Sequence, residues 1–141
     1  MTLAQRAQAL LQEGRSGCLS THSAKLAGFP FGSLMPYALD GEGRPVFFIS
    51  NLAMHTQNLR ADPRASLFIS EAAVSSDPLA LGRLTVVGNV TEVPSAEIGE
   101  IYLQRHPDAE KWRGFPDFAY FRLEPVAMYY VGGFGVMGWL S

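Results

Sequence analysis

Ser50, Asn51, His55 and Thr56 lie close together where an apolar run, Val46-Phe47-Phe48-Ile49, gives way to a helical pattern. Hydroxyl, amide and imidazole groups can each hydrogen-bond a phosphate or the edge of a heterocycle. A strand that ends in small polar residues and opens a helix also presents free backbone N–H groups, which favours an anion. Two readings stand side by side. Ser50 and Asn51 cap the helix while His55 and Thr56 face solvent, or the four together hold a ligand. Arg60, on the helix, is a surface cation or a phosphate partner. Arg83, which follows Gly82 at the start of a strand pattern, is a solvated strand end or a ligand.

The other reactive residue types define no catalytic constellation. His22, His55 and His106 stand in three different contexts, and neither HxH nor HExxH spacing is present for a metal. A GxSxG elbow and a Gly-rich phosphate loop are both absent, and no acid or base side chain presents itself. His106 precedes Pro107 and reads as a solvated histidine at a helix C-terminus. The single cysteine, Cys18, rules out an internal disulfide framework. It reads as a buried thiol in a reducing cytosol. Tyr129, Tyr130, Phe134 and Trp139 wall a planar ligand, or they fill the barrel end or a subunit contact.

The elements that must position these residues follow from apolar spacing. Leu3 to Glu13 carries Leu3, Ala7, Leu10 and Leu11 at helical intervals and stops at Gly14. Ser16 to Thr21 is a short strand, and His22 to Phe29 a loop. Phe31 to Leu39 is a strand interrupted at Pro36, which belongs at an edge or a bulge because it cannot donate to a ladder. The Asp40-Gly41-Glu42-Gly43 turn makes it a hairpin with Pro45 to Ser50. A helix from Leu52 to Ala61, with Asn51 as N-cap, ends at Asp62-Pro63, and a strand resumes from Ser66 to Ile69. Glu71 to Leu81 is a loop with Ser-Ser-Asp-Pro in its middle. Gly82 to Val93 is the cleanest strand, with a bulge or close approach at Gly88. Ser95 caps a helix to His106 that buries Ile98, Ile101, Tyr102 and Leu103, and Phe118 to Val131 is one long strand or two short ones. Strand patterns outnumber helices without regular alternation, which favours a mainly β fold, an antiparallel barrel with helices outside.

The whole chain sets outer bounds. Its 141 residues suit one domain over residues 1–141, and a domain of this size buries about 68–70% of its unfolded surface. With 48% hydrophobic against 17% charged residues, it has apolar surface to spare for a subunit interface. A net charge of −2 without a basic cluster argues against nucleic acid as a partner. No apolar run approaches the roughly 20 residues that span a bilayer, and the N-terminus lacks a basic-then-apolar signal. The expected location is cytoplasmic.

The run VFFISNLAMHTQNLRADPRASLF, preceded by a hairpin and followed by RLTVVGNVTEV, resembles the FMN-binding split-barrel superfamily that includes pyridoxamine 5'-phosphate oxidase. GFPFGS, HTQNLRADPRAS, the Asp77-Pro78-Leu79 loop and YYVGGFG resemble its haem-utilisation branch, and the similarity runs from Ala7 to Leu140. The resemblance implies an antiparallel Greek-key split β-barrel and a homodimer with FMN at its interface. The flavin ring would lie along Ser33, Leu34 and Met35, with Ile49, Ser50 and Asn51 against the ring and ribityl chain. His55 and Thr56 would face the phosphate, and Arg83 would touch the flavin from a neighbouring strand. Where the oxidases proper carry Arg and Lys, this chain has Ser33, Leu34, Met35 and Tyr37, and Met54, His55 and Thr56 replace a Ser-Arg-Lys run. A terminal Arg-x-His motif is also missing. Each charge-assisted phosphate bond lost is worth roughly 1.5–3 kcal/mol, which argues against pyridoxamine phosphate as substrate. Two expectations result: an FMN-dependent oxidoreductase, or a non-catalytic haem-binding or regulatory protein on the same barrel with an eroded flavin site.

Overall fold

A computed structural model of the chain describes residues 1–72, 77–133 and 135–140. Its strands are β1 (Ser16–His22), β2 (Pro30–Pro36), β3 (Ala38–Leu39), β4 (Pro45–Ser50), β5 (Arg64–Ser70), β6 (Arg83–Val93), β7 (Phe118–Val131) and β8 (Met137–Leu140). The helices are α1 (Leu3–Glu13), α2 (Met54–Ala61) and α3 (Ser95–Arg105), with short 3-10 turns at Pro78–Ala80 and Pro107–Trp112. All strand pairs are antiparallel, in the order β2-β1-β5-β6-β7-β4-β3, with β8 on β7. This is the mainly β split barrel with flanking helices that the sequence leads one to expect. The Ser75-Ser76 part of the expected loop, and Phe134, lie outside the described residues.

The sheet curls around one apolar interior because alternate residues point the same way. Leu19, Phe47, Ile49, Leu67, Ile69, Leu84, Val86, Phe121 and Leu123 fill it. Ala7, Leu10 and Leu11 of α1 and Leu59 of α2 join the same cluster. α1 begins in a capping box, in which Gln5 N–H donates to Thr2 Oγ1 at 3.1 Å and Thr2 N–H to Gln5 Oε1 at 2.8 Å. The buried Tyr37 hydroxyl donates to the Leu11 carbonyl at 2.7 Å, and burial pushes its pKa up to about 12. α3 lies on the outside, where Ile98 and Tyr102 pack on Ala38, Val46 and Tyr120.

Several local expectations are corrected. Residues 30–36 do not form the hairpin with β4: they pair with β1, Ser16 opposite Pro36 and His22 opposite Pro30, and Ala38–Leu39 alone pair with β4. β2 and β3 part at Tyr37, after Pro36 has closed the ladder with β1 opposite Ser16. α2 starts at Met54 with Ala53 as its N-cap, since Asn51 is engaged elsewhere. α3 has Pro94, not Ser95, at its cap, and Ile101 is half-buried. Cys18 is exposed, because Leu19 and Thr21 take the inward positions of β1. His106 is not a solvated cap: its Nε2 lies 2.6 Å from the Tyr37 carbonyl oxygen.

Candidate functional site

The turn from β4 into α2 is held by side chains. Ser50 Oγ accepts from the Leu52 N–H at 3.1 Å and donates to Asp117 Oδ2 at 3.1 Å. Asn51 N–H donates to the Asp117 carbonyl at 2.6 Å, and Asn51 Oδ1 accepts from Arg60 Nη2 at 2.6 Å. Arg60 also pairs with Glu92 at 3.0 Å and lies over the Phe121 ring. Ser50, Asn51 and Arg60 therefore brace the turn, and no side chain caps α2. Behind that uncapped start, Thr56 is completely buried, and neither Thr56 Oγ1 nor His55 Nε2 has a hydrogen-bond partner. Burial lowers the His55 pKa below its ordinary value and favours the neutral ring. Thr56 does not face solvent, and His55 is half-buried with its Nε2 enclosed. A buried hydroxyl and a buried ring nitrogen at the positive end of a helix are suited to an anion or an ordered water.

The remaining sequence-selected residues are distributed over the barrel. Ile49 points into the interior, and Met35 is buried on the inner face of β2. Ser33 pairs with the inward Leu19, and Leu34 projects from the opposite face with 83% of its surface exposed. β2 pairs with β1 and not with β4, so Ser33–Met35 and Ile49–Asn51 lie near opposite ends of the strand order, although Met35 and Ile49 reach the same core cluster. Arg83 Nη1 donates to the Leu79 and Leu81 carbonyls, each at 3.1 Å, which ties it to the loop before β6.

A well-formed cleft on another part of the sheet contains none of these positions. It has a volume of about 500 Å³ and opens on the outer face of β1, β5, β6 and β7. Pro30, Val87 and Val126 give it apolar surface, while Ser20, His22, Arg64, Ser66 and Asn89 supply polar groups. Its shape depends on a bulge. Val87 pairs with Ala127 and Gly88 with Pro125, so Val126 has no partner on β6 and stands out from β7, 67% exposed. Arg64 is steadied by Asp62, to which Nε and Nη2 donate at 3.0 and 2.7 Å, and these bonds hold the Asp62 carboxyl well below the usual range. α2 is fastened to the neighbouring end of β1, with Asn58 Nδ2 donating to Thr21 Oγ1 at 3.1 Å. The sequence held only the local part of the signal for the cleft, namely which residues share a face within each strand. The period-2 alternation of Ser20 and His22, of Arg64 and Ser66, and of Val87 and Asn89 places each pair on one face of its strand, the last beside the glycine that marks the bulge.

Two residues further along these strands, the cleft gives way to an apolar row. Leu34 pairs with Cys18, Cys18 with Phe68, Phe68 with Thr85, Thr85 with Tyr129, and Tyr129 with Trp139. Phe68 is 40% and Trp139 68% exposed, and the Tyr129 and Trp139 rings meet edge-on at 5.0 Å. The row leaves apolar side chains uncovered on the outer face of the sheet. Tyr130 instead points inward and is buried.

A curled antiparallel sheet, closed by α1 and α2 and leaving a cleft beside an open apolar face, defines the split-barrel class. The chain belongs to the CREG, beta-barrel family, which it matches over residues 1–141. It is similar to the chloroplastic non-canonical haem oxygenase HOZ of Arabidopsis thaliana, with 39% identity over 120 residues, 83% of this chain and 36% of that protein. It is similar as well to a haem binding protein from Mycobacterium smegmatis, at 30% identity and a TM-score of 0.91, covering 100% of this chain and 58% of the other. HutZ, the haem storage protein of Vibrio cholerae, superposes with a TM-score of 0.73 at 26% identity, over 89% of this chain and 91% of its own. The chain thus spans about a third of the plant protein and rather more than half of the mycobacterial one. Among the described residues no helix is long and apolar enough to cross a membrane.

Proposed function

We propose that this protein binds haem, in the cleft between β1, β5, β6 and β7. The observation that carries the reading is the cleft itself: apolar walls from Pro30, Val87 and Val126 beside the guanidinium of Arg64 and the polar groups of Ser66 and Asn89. A porphyrin needs an apolar slot for its faces and cationic or hydrogen-bonding groups for its carboxylates, and the residues present fit both needs. Similarity to proteins named for haem in three organisms supports the same reading. Bound haem would supply an iron centre for storage, transfer or oxygen chemistry. The protein's part is to hold the ring, with Arg64 orienting a carboxylate and Val126 lying against the macrocycle.

FMN is the second reading, favoured by a different observation. The uncapped α2 start, with the unpartnered Thr56 Oγ1 and His55 Nε2, suits a phosphate. In this reading Ser33, Leu34, Met35, Ile49, Ser50, Asn51 and Arg83 would take the flavin roles that the superfamily resemblance implies, and the flavin would supply redox chemistry. In either case the functional unit is a homodimer. The Leu34-to-Trp139 row borders the cleft and would bring a second copy against it. A cytoplasmic, reducing location belongs to the same proposal and suits the exposed Cys18 thiol. Parallel titrations of the purified protein with ferric haem and with FMN test the choice. Saturable growth of a Soret band, with no FMN retained on gel filtration, is the expected result; retained FMN without a Soret change would overturn the haem reading.

A further inference from the structure

We propose that His22 supplies a protein ligand to the haem iron. This inference rests on the haem reading of the cleft. His22 is the last residue of β1, where it pairs with Pro30, and it is exposed at the cleft together with Ser20 and Arg64. Strand pairing on both sides of β1 fixes the backbone leading to it, so the ring is carried by a rigid element.

The other histidines are committed elsewhere. His106 Nε2, at 2.6 Å from the Tyr37 carbonyl oxygen, must carry its proton to make that bond, so this nitrogen has no lone pair to offer a metal. His55 Nε2 is enclosed by protein at the α2 start, and a buried atom there cannot reach a porphyrin on the outer face of the sheet. No described residue is hydrogen-bonded to the His22 ring. An imidazole on one wall of the cleft and a guanidinium on the next strand serve two different ends of the same molecule. His22 would ligate the iron, while Arg64, whose Nε and Nη2 already donate to Asp62, would offer its remaining Nη1 to a carboxylate.

The test compares wild-type protein with His22→Ala and His22→Met during titration with ferric haem. Soret position and electron paramagnetic resonance are the readouts, and His106→Gln serves as the control. The wild type gives an imidazole-ligated spectrum. His22→Ala loses that signature and binds at least about tenfold more weakly, and added imidazole restores the wild-type spectrum. His22→Met shifts the spectrum towards thioether ligation, and His106→Gln leaves it unchanged. A His22→Ala protein with wild-type spectrum and affinity would overturn the inference while leaving the haem reading intact. A wild type that takes up no haem would overturn both.

Discussion

Gly88 lies directly against the backbone carbonyl of Glu124. A Cβ at this position would collide with the Glu124 oxygen and come within 2.9 Å of Leu123 Cδ2. The contact brings β6 and β7 together where the register shifts, and so displaces Val126 into the cleft. A single methyl group must push the backbone apart. Gly88→Ala is expected to destabilise the fold by about 1–3 kcal/mol, the usual cost of overpacking. Denaturant titration checks this, and a midpoint equal to the wild type's would show that the bulge absorbs the methyl.

Asp40 is the hub of a buried charge cluster. Its carboxylate accepts from Arg122 Nε at 2.8 Å, from Arg44 Nε at 2.9 Å and from the N–H groups of Glu42 and Arg44, each at 2.9 Å. Burial opposes ionisation, but these donors outweigh it and hold the Asp40 pKa below its ordinary 3.8. A depressed carboxyl contributes stability that is present above the unfolded value and lost as pH falls through the folded one. Asp40→Ala leaves Arg122, whose side chain is 11% exposed, without its most buried partner. The expected loss is about 3–5 kcal/mol at neutral pH, shrinking below pH 3.8. Thermal melts across that range measure it.

Thr56 and His55 make opposite predictions with and without a ligand. Thr56→Val removes a buried hydroxyl that lacks a partner, so the ligand-free protein gains about 1 kcal/mol or is unaffected. Any FMN retention that depends on the α2 start is lost in the same variant. His55 is buried in its neutral form, so its contribution is present above its ordinary pKa of 6.5 and falls away below it. Replacing His55 with Leu should flatten the fall in melting temperature between pH 6.5 and the acid limb; an unchanged profile would show that another group governs it.

The apolar row predicts assembly. Light scattering should give twice the 15.4 kDa chain mass for the wild type. Leu34→Glu combined with Trp139→Glu should give the single-chain mass with an unchanged far-ultraviolet spectrum, because both side chains are exposed on the outer face. A wild-type monomer would remove the second copy from the proposal.

Most strands and helices were legible because apolar period and turn chemistry agreed locally. Gly14, Asp62-Pro63 and Pro107 each mark a real helix end, and Gly88 a real bulge. What escaped was non-local. A tight turn at residues 40–43 predicts a hairpin, but whether residues 30–36 follow it or cross to β1 depends on the parting at Tyr37. Asn51 has the chemistry of a cap, yet Arg60, two helical turns on, claims its oxygen. His106 looks solvated until the fold brings Tyr37 to it. The passage from β4 into α2 was legible from residue type and spacing alone. The cleft was not, because its walls come from five strands, most of them far apart in sequence, and the face on which they meet is decided by sheet order.

Blocking the cleft tests the central claim most directly. Ser66 is half-buried on its floor, with its side chain on the outer face of β5. Wild-type protein and Ser66→Trp are titrated with ferric haem, after melting curves establish that both are folded. The account predicts a Soret band that saturates at one haem per chain in the wild type and is absent from Ser66→Trp. Equal saturation in the two proteins would place haem elsewhere and contradict it.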